Sequence, residues 1–412
     1  MSKEEKRAPE VRFEGFHDDW KQRKLGDIAD ITKLAGFEFT KYVNYSDEGT
    51  IIALRGLNVK NGQLILDDVK YIDQSDFKKL SRSKLYKNDI LFTYVGTVGE
   101  LAVIPEDDKY YLAPNVARIR LVNGVCPQFI SQMMSGSIFY KKVIFPLIAT
   151  SSQPALSMEN VRKFTFLLPI LEEQIKISTF LNQLDDSIAL HQEKITKLQA
   201  LKKAALQSLL PEKGETEPKV RFTNFSDAWQ QRKLEQLGNI YTGNTPSTMD
   251  KTNWIDNKMG YVWVTPTDIN NLTISNSEKH LSSKGWSKAR TVPVNSVLIT
   301  CIASIGKNTM NTVPAAFNQQ INAIVPEENN AYFILTIMEK ETKRLVGLAG
   351  KTATSIINKR EFKKFVLLVP NIDEQIKIKT FFQYFDNNID LCKQKLGKLQ
   401  TLKKAFLQKM FM

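Results

Sequence analysis

The chain carries one unit twice, so whatever fold it adopts has to be built twice. Residues 11–25 read VRFEGFHDDWKQRKL and residues 220–234 read VRFTNFSDAWQQRKL. Val11, Arg12, Phe13, Phe16, Asp18, Trp20, Gln22, Arg23, Lys24 and Leu25 return 209 positions later as Val220, Arg221, Phe222, Phe225, Asp227, Trp229, Gln231, Arg232, Lys233 and Leu234. A second pair of segments closes each half: EEQIKISTFLNQLDDSIALHQEKITKLQALKKAALQ (172–207) returns as DEQIKIKTFFQYFDNNIDLCKQKLGKLQTLKKAFLQ (373–408). The order A–B–A′–B′ predicts two similar bodies, two similar connectors and near two-fold symmetry.

The closing segments have helical periodicity. Ile177, Leu181, Leu184, Ile188, His191, Ile195, Leu198, Lys202, Ala205 and Leu209 follow alternating steps of four and three, a heptad seam. Its second copy is Ile378, Phe382, Phe385, Ile389, Cys392, Leu396, Leu399, Lys403, Phe406 and Met410, and 20 of the 39 positions between 172–210 and 373–411 are identical. Each helix would span about 58 Å. Pro169 and Pro370 mark the starts, and Pro211 with Gly214 ends the first. Two such seams in one chain are expected to bury each other antiparallel, because a two-fold axis reverses helix direction; the alternative is that each helix packs on its own unit.

The rest of each half reads as β-rich. Short runs such as 50–59, 63–68, 88–96 and 115–122 are separated by turn signals including Asn61-Gly62, and helical patches fall near 128–143 and 331–347. The run 88–99 aligns without a gap on 295–306, whereas 35–85 and 243–290 share little. The expected fold class is α+β: two tandem β-rich domains separated by two long antiparallel coiled-coil helices, pseudo-two-fold. The expected boundaries are a disordered lead (1–10), a first domain (11–170), a helix (171–210), a polar linker (211–218), a second domain (219–371) and a second helix (372–412).

A net charge of +13 favours a polyanionic partner, nucleic acid first and an anionic membrane surface second, with added solubility as the bland reading. No run approaches a membrane span and no secretory leader opens the chain, which points to the cytoplasm. Cys126, Cys301 and Cys392 lie far apart, a spacing that suits neither disulfides nor zinc. Catalytic signals are weak. The acidic strings at 67–70 and 105–109 sit at turns and have no counterpart in the other half. Gly350-Lys351-Thr352 ends like a phosphate loop, but Leu345 stands where the first glycine belongs. No GxGxxG and no Asn-Pro-Pro-aromatic tetrapeptide occurs, and the three histidines are dispersed. No metal site and no catalytic residue is expected.

Polar, basic and aromatic residues at strand ends and turns are the candidate DNA readers. In the first half they are Arg55, Asn58, Lys60, Tyr94, Thr97, Ser151, Ser152 and Gln153. In the second they are Thr265, Thr267, Asp268, Ser304, Lys307, Asn318, Gln319, Gln320, Thr352, Thr354 and Ser355. Arginine can grip guanine bidentately and Asn or Gln adenine, while Ser, Thr and Lys more often hold phosphates. The signal is the constellation rather than any member.

With these features in place, the chain resembles the specificity (S) subunits of type I restriction–modification systems over nearly its whole length. The carrying residues are the openings Trp20-Lys21-Gln22-Arg23-Lys24-Leu25 and Trp229-Gln230-Gln231-Arg232-Lys233-Leu234. With them go the junctions Leu168-Pro169 to Glu173-Gln174 and Val369-Pro370 to Glu374-Gln375, and the long duplicated helices. The second junction departs slightly at Val369 and Asn371-Ile372-Asp373. The resemblance implies two target-recognition domains, each reading half of an asymmetric, interrupted site in double-stranded DNA. It implies helices that set the half-site separation and dock two modification subunits, which bind S-adenosylmethionine, flip an adenine and methylate its N6. Restriction subunits using ATP and Mg2+ would join them. This chain would hold no cofactor and would not be catalytic. The rivals are a stand-alone nuclease or methyltransferase, which would turn over without partners, and a non-specific scaffold, which would lack a specificity ratio.

Overall fold

Each opening signature becomes a short strand laid against the junction that leads into a long helix. Lys21–Lys24 pairs antiparallel with Thr165–Leu168, and Gln230–Lys233 pairs with Val366–Val369 in the matching register. The next residue turns inward in both copies: Leu25 N donates to Phe164 O (2.8 Å) and Leu234 N to Phe365 O (2.9 Å). The computed structural model describes residues 8–34, 36–149, 153–256, 259–349 and 355–411. By contacts they form two units, one made of residues up to His191 together with Gln394 onward, the other of Gln192–Lys393.

The first unit has a four-stranded sheet, ordered Ala29–Lys33, Val116–Leu121, Ile90–Thr93, Leu101–Val103. Beside it lies a three-stranded sheet in which Ile52–Leu54 runs parallel to Tyr110–Leu112. The second unit repeats the first sheet as Gly238–Thr242, Ile321–Pro326, Val297–Thr300, Asn308–Asn311, extended by Thr273–Ile274. Its second sheet has five strands, with Tyr261–Val264 parallel to Ala315–Phe317. The helical patches resolve as Pro127–Met134, which opens on a proline whose missing N–H needs no helical partner there, and Ala331–Val346, whose Asn330 side chain accepts from Phe333 N.

The long helices are Leu171–Ser208 and Ile372–Lys409, 38 residues each. Each contributes to both units. In the first unit Phe180 meets Phe406 edge-on (4.8 Å) and Asp185 pairs with Lys403, so the early part of one helix runs antiparallel to the late part of the other. In the second unit Lys202 pairs with Asp386 (2.9 Å), and Leu206, Leu209 and Leu210 share a core with Ile378 and Phe382. The roles of the two helices are exchanged.

Burial along the seam is graded. Ile177, Leu181, Leu184, Ile378, Phe382, Ile389 and Cys392 are buried, whereas Ile188, His191, Ile195, Leu198, Phe385, Leu396 and Leu399 are half-buried. Ile177, Leu181, Leu184, Ile378 and Phe382 also belong to sheet-bearing cores; the middle of the first helix is only half-covered, whereas Ile389 and Cys392 keep the middle of the second buried. Each unit closes its core with the end of the other repeat's helix: Met410 and Phe411 join Trp20, Phe92 and Phe129 in the first, and Leu209 and Leu210 join Trp229 and Phe333 in the second. Of the expected disordered lead, residues 1–7 lie outside the described residues; Pro9 is buried and Glu10 lies 3.5 Å from Lys409 Nζ.

Candidate nucleic-acid interface

At one edge of each unit, strand ends and loops are tied by the same six backbone-anchored hydrogen bonds. The first pair fixes the turn after the parallel strand: Arg55 N donates to Asn58 Oδ1 (3.1 Å) and Thr265 N to Asp268 Oδ2 (2.8 Å). The return bonds are Asn58 N to Arg55 O and Asp268 N to Thr265 O. Its parallel neighbour is joined by Ala113 N to Leu54 O and Asn318 N to Val264 O. Next come Tyr94 N to Asn115 O and Cys301 N to Gln320 O. The loop following this strand is tied to the returning chain by Gly96 N to Pro154 O (2.9 Å) and Ala303 N to Ser355 O (3.0 Å). The sixth pair is Leu156 N to Tyr94 O and Ile357 N to Cys301 O. Inside the loop Thr93 Oγ1 donates to Thr97 O, and Thr300 Oγ1 to Ser304 O. The backbone bends back at Gly99 and Gly306, both with positive φ, where a Cβ would strike Tyr140 or Thr342.

This frame gathers most of the sequence candidates and sorts them. In the second unit Thr265, Thr267, Asp268, Ser304, Lys307, Asn318, Gln319, Gln320 and Ser355 converge, with Lys307 Nζ reaching Pro266 O (3.5 Å). Thr267, Ser304, Lys307, Gln319 and Ser355 are exposed; Asp268 is spent on Thr265 and on Glu278 N (2.8 Å). Asn318 is buried, its amide facing Gln320 Oε1 (3.1 Å). In the first unit Lys60, Thr97 and Gln153 are exposed. Asn58 is fully buried and donates to Ile65 O and Asp68 O, and Arg55 is paired with Asp68 (2.9 Å). Tyr94 is buried, its phenol pKa raised by that burial, with Lys33 Nζ 5.1 Å from its ring centre. Burial also pushes the Cys301 thiol up to about 12. Ser151, Ser152, Thr352 and Thr354 lie outside the described residues.

Sequence reasoning passed over five residues of this edge. Asn115 is the first unit's counterpart of Gln320, and Lys33 occupies the register of Thr242. Asn244, Thr245 and Arg290 complete the second unit's edge, Thr245 Oγ1 donating to Gln319 Oε1 (2.5 Å) and Asn244 Oδ1 accepting from Arg290 N (2.6 Å). The alignment of 88–99 on 295–306, carried outward, reaches Asn115 and Gln320 only after a two-residue gap, which the backbone bonds reveal and the sequence does not; Arg290 is far off in sequence and only strand register reveals it.

In each unit the repeated signature forms one buried device. Arg12 donates to both oxygens of Glu173 (2.6 and 2.8 Å) and to Asp18 O, and Arg221 does the same to Glu374 (2.8 and 2.8 Å) and Asp227 O. The carboxylate holds each guanidinium's pKa above its usual value. Gln174 accepts from Cys126 N and donates to Pro169 O; Gln375 accepts from Asn330 N and donates to Pro370 O. Trp20 and Trp229 stand edge-on to Phe129 and Phe333. Among the described residues no group of His, Cys, Asp and Glu could hold a metal ion, and no helix is long and apolar enough to cross a membrane.

Comparison with known proteins matches this architecture. Residues 17–200 and 226–401 each match the type I restriction modification DNA specificity domain. The type I restriction enzyme HindI specificity subunit of Haemophilus influenzae is 24% identical over 427 residues, covering 86% of this chain and 90% of that protein. The crystal structure of the S subunit of a type I restriction–modification system from M. genitalium superposes with a TM-score of 0.63 at 13% identity, covering 98% and 99% of the two chains. A chain from a structure of a type I system studied for complex assembly and conformational transition gives 0.54 at 16% identity, covering 95% and 97%. With the specificity-domain match spanning both repeats, the chain belongs to the family of type I restriction–modification DNA specificity subunits.

Proposed function

We propose that each unit reads one half of a bipartite DNA site through its hydrogen-bonded edge, and that the paired helices dock two modification subunits. As a specificity subunit the chain recognises DNA and is not the catalytic component. One observation carries the reading: the same six bonds frame both edges, while the side chains they present differ. Glu100 stands where Lys307 does, and Pro114-Asn115 where Gln319-Gln320 do. A shared scaffold with unlike contact groups suits two unlike half-sites; uniform phosphate binding would need no such divergence. The exposed members of the candidate set, Lys60, Thr97, Gln153, Thr267, Ser304, Lys307, Gln319 and Ser355, are the proposed contacts. Arg55, Asn58 and Asp268 shape the turns instead.

In this proposal the partners supply the chemistry in the cytoplasm: S-adenosylmethionine on the modification subunits for adenine N6 methylation, and ATP with Mg2+ on restriction subunits. Exchange of residues 35–160 for the matching segment of a relative tests it. Sequencing of methylated adenines should then show one half of the motif changed and the other intact; change in both halves, or in neither, contradicts the division of labour.

A further inference from the structure

We infer that Arg290 reads a guanine edge in the half-site of the second unit, an inference that rests on the DNA-reading function proposed above. Its backbone is fixed at the recognition edge. Thr291 lies opposite Ala316 in an antiparallel pair, which places Arg290 across from Phe317, the residue that leads into Asn318 and Gln319. Asn244 clamps it from the other side: Oδ1 accepts from Arg290 N (2.6 Å) and Nδ2 donates to Lys288 O (2.9 Å), while Asn244 N donates to Phe317 O (3.0 Å). The packing beneath leaves no slack, since a Cβ on Gly243 would lie 2.2 Å from both Asn318 O and Phe317 O.

The side chain is the opposite of its fixed backbone. It is exposed, its guanidinium lies 5.8 Å from the Tyr241 ring centre, and among the described residues it has no carboxylate partner. Arg55, Arg118 and Arg120 in the first unit are by contrast neutralised by Asp68, Asp30 and Asp89. A guanidinium held over an aromatic face keeps its planar fork free, the shape that pairs with guanine O6 and N7. Gln319, steadied by Thr245, is a neutral amide on the same edge. The first unit places Lys33 over Tyr94, a point charge that cannot make a two-pronged contact.

The test uses the full chain assembled with its modification partners and duplexes randomised in each half-site, with methylated-motif sequencing in cells beside it. Arg290→Lys keeps the charge and the stem but loses the fork; Arg290→Gln exchanges a guanine reader for an adenine reader. The expected result is relaxation at one G·C position in one half only, a cognate affinity lowered about 5- to 150-fold, and with Gln a shift toward A·T at that position. Uniformly weaker binding with an unchanged motif and a shallower salt dependence would make Arg290 a phosphate contact and overturn the inference, as would no change at all. An unmutated chain without any sequence preference would instead sink the DNA-reading function itself. Unchanged melting temperatures of both variants confirm that the folded chain is being compared.

Discussion

Arg12 and Arg221 show how a repeated residue earns its repetition. Each donates two hydrogen bonds to a carboxylate with almost no solvent exposure, so removing the arginine leaves a buried charge with nothing opposite it. Arg12→Ala should destabilise the first unit by about 3–5 kcal/mol, with hydrogen-exchange protection falling in 8–191 and 394–411 and surviving in 192–393. Arg221→Ala should do the reverse. Protection lost equally in both units by either change would contradict this account. A second residue-scale difference lies in the reading loops. Gly96 and Ala303 sit at equivalent turns with φ of 79° and 62°, a region an L side chain enters at a cost. No atom lies within 4 Å of a Cβ built on Gly96, so the penalty there is conformational alone. Thermal melts should show Gly96→Ala losing about 1 kcal/mol and Ala303→Gly gaining up to about 1 kcal/mol.

The long helices carry a pair of matched ionic contacts with unequal surroundings. Lys202 and Lys403 occupy the same heptad position, and each pairs with the same aspartate of the opposite copy, Asp386 or Asp185. Around Lys202 the side chains are 9% and 10% exposed, with Glu339 as a further partner and Tyr332 donating to Asp386 (2.6 Å); around Lys403 they are 31% and 37% exposed. Lys202→Met should therefore cost about 3 kcal/mol in denaturant melts, and Lys403→Met less than about 1 kcal/mol. Burial opposes the charge on Lys202, but Glu339 and Asp386 outweigh it and raise the pKa above 10.5. A raised lysine stabilises wherever the unfolded chain is also protonated, and that stability drains as pH climbs through the folded value. The gap between wild type and Lys202→Met should then hold steady from about pH 7 to about pH 10 and shrink only beyond. These helices were legible in the sequence because a heptad survives without knowledge of its partner, and their antiparallel pairing followed from the A–B–A′–B′ order; that each helix end completes the other repeat's core did not. The edge was legible only in part. Polar residues at strand ends announce a surface, but Asn58 and Asp268 turn out to fold the chain, and Arg290 reaches the site through strand register that no local pattern encodes.

Each unit borrows its last core residues from the other repeat, and this governs what half a chain can do. Without 394–411 the first unit would lose Met410 and Phe411 from the core around Trp20 and Phe129, together with the half-buried Leu399, Phe406 and Leu407. A fragment of residues 1–210 contains the matching residues Leu206, Leu209 and Leu210, which in the intact chain fill the equivalent place beside Trp229 and Phe333. They cannot reach back to their own unit, because the helix that bears them leads away from its own start; a second copy can supply them, and the exchange is self-complementary. The fragment should sediment as a dimer of twice the fragment's own mass, and dissociation should coincide with loss of structure. Leu209→Asp with Leu210→Asp should abolish the dimer and leave a poorly folded monomer, since the open core exposes apolar surface that nothing else in the fragment covers. A fragment that stays monomeric and cooperatively folded at micromolar concentration would show that the first unit does not need the borrowed helix end, and the two-way exchange would then be decoration on two self-sufficient halves.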